Sequence, residues 1–191
     1  LKNQGEQLIL VSSGAIGMGV GKLNLPGRPA DMPTKQAAAA VGQCELMYTY
    51  DKLFGEYNHT VAQLLLTGED VRFPHRRQNF VNAMERLLEL GVVPVVNEND
   101  TVSVEQIRFG DNDTLGALVG CLIDADLLVI LSDIDGLYDD NPRRNPDARL
   151  IERVERIDRS VMAVAGEAGT AVGSGGMITK IKAARVLMAA G

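Results

Sequence analysis

Tryptophan is absent from this chain of 191 residues and aromatics make up only 4% of it, so its 46% of hydrophobic residues is almost wholly non-aromatic. Cysteine is nearly absent too. Cys44 and Cys121 both lie among apolar, helix-like residues. They exclude a disulfide scaffold and are expected to be reduced core thiols, as in a reducing cytoplasm. His59 and His75 stand at segment edges with no Cys or second His at ligand spacing, so no zinc site is expected. No apolar run approaches the roughly 20 residues that a membrane helix requires. Asp124, Asp126 and Asp133 cut the longest ones. Positive charge is also in deficit. The 19 Lys and Arg face 25 acids, and the net charge of −6 repels long nucleic acid and anionic membrane surfaces. Any phosphate site must therefore be arranged locally.

What is present suits an ordinary soluble globular chain, with 23% charged residues and 20 Gly. At about 150 residues per domain, one domain is expected. The chain opens at Leu1, on what reads as a helix tail, and is expected to be part of a longer protein.

Short β-branched apolar runs alternate with longer stretches at helical spacing, the pattern of β-α-β units around a parallel sheet. Strands are expected at 8–12, 60–66, 92–97 and 127–132, although Pro94 weakens the third. A helix is expected over 34–55 with Ala40, Cys44, Met47 and Phe54 along its buried stripe. Another is expected over 74–90 with Phe80, Met84, Leu87 and Leu88 inward, ending at Gly91. Two more are expected at 113–123 and 177–189, and 139–149 reads as a loop with two Asn-Pro steps. Ligands of open parallel sheets sit beyond the carboxyl ends of the strands, so the residues there are the candidates.

Ser13-Gly14 with Gly17, Gly19 and Gly21 reads as a turn whose backbone N–H groups can approach an anion, or as a plain strand-to-helix turn. No dinucleotide fingerprint registers on these glycines. Gly173-Ser174-Gly175-Gly176-Met177-Ile178-Thr179-Lys180 runs from glycines into a helix start with a lysine, which suits a polyphosphate but departs from the Walker pattern. Between Glu98 and Asp113 lie Glu98, Asp100, Glu105, Asp111 and Asp113 with Asn97, Asn99 and Asn112, opposed only by Arg108. Calcium is excluded there, because the fifth and twelfth positions from Asp111 are Leu115 and Leu122. Asp111 could instead cap a helix. Asp133 to Tyr138, followed by Asn141-Pro142, offers carboxylates and a ring for a ribose and purine, or forms a surface turn.

Taken together, Ser12-Ser13-Gly14-Ala15-Ile16, Asn97-Glu98-Asn99-Asp100, Gly110-Asp111-Asn112-Asp113, Ser132 to Tyr138 and Gly175 to Lys180 resemble the amino acid kinase family, over essentially the whole chain. The resemblance is to the branch that acts on L-glutamate. It implies an open three-layer αβα sandwich with a mainly parallel sheet, over a single kinase domain at 1–191 that lacks its first and last strands. It implies transfer of the γ-phosphoryl of ATP to the side-chain carboxylate of L-glutamate, the step that begins proline synthesis. The branches that act on N-acetylglutamate or aspartate, and a non-catalytic ligand-binding domain, are the alternatives. By the same resemblance Ser13, Asn97, Asp100, Asp111 and Asn112 hold glutamate. Ser132, Asp133 and Ser174, Gly175, Gly176, Met177, Ile178, Thr179 and Lys180 hold ATP. Lys180 stabilises the transition state and Asp113 orients it. Mg2+ rides on the phosphates, with no protein metal site. A cytoplasmic homo-oligomer inhibited by proline is implied, with no membrane or nucleic-acid partner. A second phosphate-binding lysine lies upstream of Leu1 in that family.

Overall fold

The computed structural model describes residues 1–103, 111–167 and 176–190. The residues form two compact units, Leu1–Phe109 and Gly110–Gly191, which are taken in turn.

The first unit holds a three-stranded parallel sheet in the order β1-β3-β2, built from β1 (Leu10–Val11), β2 (Val61–Leu66) and β3 (Val93–Glu98). Helices flank it, as the α/β alternation predicts: α1 (Ala15–Lys22), α2 (Met32–Gly55), α3 (Gly68–Arg72) and α4 (Pro74–Glu89). The central strand β3 is buried from Val93 through Asn97, which is why its sequence shows a continuous apolar run rather than alternation. Pro94 is tolerated because of the register. Val93 donates its N–H toward β2, to Thr60, so position 94 faces β1, whose ladder begins only at Leu10 opposite Val95. No donor is missed there.

Burial of α4 follows its expected stripe at Phe80 and Met84, while Leu87 and Leu88 are half-buried. The stripe of α2 does not. Ala40 and Cys44 are exposed, and the helix buries Ala38, Ala39, Gly42, Gln43 and Leu46 instead. The reason is a backbone-to-backbone crossing with α1. A Cβ placed on Gly42 would lie 1.7 Å from the Ala15 carbonyl oxygen, and one on Gly19 would lie 1.8 Å from that of Ala38. Small residues thus outcompete large apolar ones for the buried face. Both cysteines are free thiols as expected, but Cys44 is exposed and Cys121 half-buried, so neither is a core thiol.

The second unit is built on α5 (Asn112–Leu122), α6 (Arg159–Glu167) and α7 (Met177–Ala190). Leu115, Ala117, Ala165 and Ala183 form its interior. Residues 127–132, expected as a strand, have no ladder partner among the described residues, and Leu127, Val129 and Leu131 are 76%, 63% and 84% exposed. Strand propensity is local, whereas a strand exists only where a neighbour completes its hydrogen bonds. The expected loop at 139–149 is closed at its base by an antiparallel bridge between Tyr138 and Leu150, with Asp139 N–H donating to Arg149 and Ile151 N–H to Leu137.

No helix among the described residues is long and apolar enough to cross a membrane.

Candidate functional site

In the first unit the candidate residues follow the carboxyl ends of β1 and β3. Ser12 N–H donates to the Val96 carbonyl at 2.9 Å, which extends the β1 pairing to the edge of the Ser13-Gly14 turn. Gly14 then takes φ 107°, a conformation that glycine adopts without the Cβ penalty, and caps α1. The other glycines of this motif are not part of the turn. Gly17, Gly19 and Gly21 lie within α1, and Gly19 serves the crossing with α2. Ser13 is exposed on the turn, while Ser12 is buried and its hydroxyl meets Tyr50 Oη at 2.7 Å.

Asn97 is 3% exposed at the end of β3. Its Oδ1 accepts from the Glu98 N–H at 2.9 Å and its Nδ2 donates to Gln43 Oε1 at 3.0 Å. Glu98 Oε1 in turn accepts from Ser103 Oγ at 2.6 Å. The Ser103 N–H reaches back to the Asn99 carbonyl at 3.0 Å, closing a tight turn that carries half-buried Asp100. These polar groups occupy the rim to which a parallel sheet delivers its ligands.

In the second unit Asp111 caps α5. Its Oδ1 accepts from the Thr114 N–H at 2.7 Å and its Oδ2 from Thr114 Oγ1 at 3.2 Å, so the capping alternative raised by the sequence is realised. Asn112 and Asp113 follow in the first turn of the helix. Asp113 is the hub of this unit. Lys180 Nζ lies 3.2 Å from each of its carboxylate oxygens, and Thr179 Oγ1 lies 2.7 Å from Oδ2. The pair is partly shielded, with 21% of the Lys180 side chain and 16% of that of Asp113 exposed. Two residues 67 apart in sequence are thereby held together by the start of α5 and the start of α7. The Thr179 hydroxyl is also 2.7 Å from the Gly176 carbonyl; with one proton it donates to one acceptor at a time, and the charged one gives the stronger bond.

Beside this pair is a pocket lined by Ser132, Asp133, Gly136, Leu137, Tyr138, Pro142, Arg143, Gly176, Met177 and Lys180. It joins five of the residues expected to hold ATP to the Tyr138 ring, Pro142 and the aliphatic side chains of Ile134, Leu137 and Val164. Two features had no sequence signal. Arg143 Nη2 pairs with Asp133 Oδ2 at 3.0 Å, and Tyr138 Oη donates to Asp135 at a long 3.4 Å. Of the remaining expected residues, Ile178 lies in the first turn of α7, whereas Ser174 and Gly175 fall outside the described residues. Gln43 was missed as well. A polar side chain inside the Ala38-Ala39-Gly42 stripe was the signal that marked it.

Among the described residues no group of three His, Cys, Asp or Glu side chains is placed to hold a metal ion.

The amino acid kinase family model matches residues 1–191. The chain is 56% identical over 191 residues to the glutamate 5-kinase of Carboxydothermus hydrogenoformans, covering 100% of this chain and 51% of that protein. It is 57% identical over 186 residues to the glutamate 5-kinase of Clostridium acetobutylicum, covering 97% of this chain and 70% of the relative. To that of Clostridium tetani it is 54% identical over 191 residues, covering 100% of this chain and 72% of the relative. With an open parallel α/β sheet, a match along its full length and relatives of this similarity, the chain belongs to the amino acid kinase family.

Proposed function

We propose that residues 1–191 are the kinase domain of an enzyme that transfers the γ-phosphoryl group of ATP to the γ-carboxylate of L-glutamate, forming L-glutamyl 5-phosphate for proline synthesis. The shielded Asp113–Lys180 pair beside the Ser132–Arg143 pocket carries this reading, because it holds a cation ready to meet charge that develops on a transferring phosphoryl group. The names of the relatives favour glutamate over N-acetylglutamate or aspartate as acceptor.

The chemistry suits these side chains. A γ-carboxylate oxygen attacks the γ-phosphorus, a P–O bond forms, and the bond to the β–γ bridging oxygen breaks as ADP leaves. Nucleophile and donor are both anionic, so positioning and positive charge must do most of the catalysis. A carboxylate has no proton to lose, hence Asp113 acts as an anchor for Lys180 and not as a base. Lys180 meets the charge that develops on the transferred group. Ser132 and Asp133 with the start of α7 hold the nucleotide, and Tyr138, Leu137 and Pro142 offer apolar surface for its base. Ser13, Asn97, Asp100 and Asn112 hold glutamate. Asp111 fixes the start of α5, the helix that carries Asn112.

Mg2+ binds well through one or two carboxylates plus phosphate oxygens. Asp135 is an exposed carboxylate beside the pocket and fits an outer contact of that kind, while Asp113 is committed to Lys180 and Thr179 and Asp133 pairs with Arg143. The ion supplies charge neutralisation on the phosphates when bound.

The reading extends to a cytoplasmic homo-oligomer that proline inhibits, which sedimentation and a proline titration of the activity would check. The decisive assay is ATP-dependent hydroxamate formation from L-glutamate with hydroxylamine, with N-acetylglutamate and aspartate as parallel acceptors. Signal with glutamate alone is expected. In the same assay Asp100→Ala should raise the KM for glutamate roughly 10- to 100-fold and leave the KM for ATP near its starting value. An unchanged glutamate dependence removes Asp100 from the substrate site.

A further inference from the structure

Gln43 carries a polar atom that the fold itself leaves without a partner. The residue is 8% exposed, and its Nε2 has no hydrogen-bond partner among the described residues. An unsatisfied buried amide nitrogen is costly, so a native structure retains one where something else completes it.

Its orientation is fixed by a chain of donors. The Glu98 backbone N–H can only donate, so the Asn97 atom facing it must be the oxygen. Asn97 therefore turns its Nδ2 toward Gln43, and the Gln43 atom facing it must be Oε1. Reversing the Gln43 amide would set two NH2 groups against each other. Nε2 is left as a donor of two protons, turned away from Asn97.

Its location is also defined. Gly42, one residue earlier, lies against Ala15, the first residue of α1 and the neighbour of the Ser13-Gly14 turn. Asn97 ends β3, beside Val96, whose carbonyl holds Ser12. Gln43 thus lies on α2 against Asn97, behind the rim where β1 and β3 end, with its Nε2 closed to solvent. A buried N–H2 donor there wants an anionic or carbonyl oxygen.

We propose that Gln43 is a substrate-binding residue whose Nε2 donates to a carboxylate oxygen of the acceptor amino acid, with Asn97 fixing its amide. This inference rests on the glutamate kinase reading. It assigns Gln43 to recognition of the acceptor and leaves the nucleotide side unaffected.

Gln43→Glu and Gln43→Met test it in the native-length protein. Gln43→Glu keeps an acceptor for Asn97 Nδ2 but replaces the donor with an oxygen. Gln43→Met removes both. Steady-state kinetics for both substrates, glutamate binding by calorimetry and the Tm are measured in each. The expected result is a KM for glutamate raised roughly tenfold or more in both variants, larger in Gln43→Glu because two carboxylates then face each other, with the KM for ATP within about twofold. The proposal fails if glutamate KM and Kd stay unchanged in Gln43→Glu. It fails equally if the KM values for both substrates and the Tm move together in both variants, the mark of a structural role. Absence of glutamate turnover in the unsubstituted protein would instead sink the kinase reading itself.

Discussion

Lys180→Ala in the native-length protein should lower kcat roughly 100- to 1,000-fold while weakening ATP binding much less. The geometry explains the split. Lys180 Nζ is held 3.2 Å from both oxygens of Asp113 by a carboxylate that α5 places and Thr179 steadies, so the ammonium is fixed before substrate arrives. A preorganised charge is worth most where charge develops. Lys180→Arg is a sharper control. It keeps the charge but spreads it over a planar fork that does not fit a single ammonium position, and it should recover only a small part of the activity. Single-turnover rates and nucleotide titrations read the two effects separately. Equal losses in ATP affinity and turnover would reassign Lys180 to ground-state binding. The Tm must be followed too, since removal of the cation leaves Asp113, 16% exposed, with an uncompensated charge.

Gly42→Ala should destabilise the protein by about 3–5 kcal/mol. The added Cβ would lie 1.7 Å from the Ala15 carbonyl oxygen and 2.4 Å from the Gly19 nitrogen, both backbone atoms of α1 that cannot rotate away. α1 and α2 would have to separate, moving the Ser13-Gly14 turn and Gln43 together. Gly21→Ala is the matched control. No atom lies within 4 Å of a Cβ there and its φ is not positive, so alanine should stabilise the helix by about 0.5–1 kcal/mol. Urea denaturation of the two variants would show opposite shifts in midpoint. A midpoint for Gly42→Ala near the parent value would mean that the helices are not in backbone contact.

The contrast between these two glycines marks the limit of a sequence reading. Gly17, Gly19 and Gly21 look alike in the sequence, as one glycine-rich turn, yet only Gly14 supplies the turn and only Gly19 meets a neighbouring helix. The same limit explains α2. Its existence and its Gly55 end follow from helical spacing, but its buried face was expected along Ala40 and Cys44 and lies along Ala38, Ala39 and Gly42. Which stripe a helix buries depends on how closely its partner comes.

Short-range pattern is enough to read the alternation of strand and helix, the positions of β2, β3, α4, α5 and α7 within a residue or two, and the motif set that marks the kinase family. Those properties are local. A period of two or 3.6, a capping Asp and a terminal glycine act on neighbouring residues and can be read in a short window. It takes the folded chain to see that 127–132 finds no ladder partner among the described residues, that Asp113 clasps Lys180 across 67 residues, and that Asn97 orients Gln43 across 54. Each of these is a contact between distant segments, set by which surfaces fit and which polar atoms must be satisfied, and no short-range pattern encodes it.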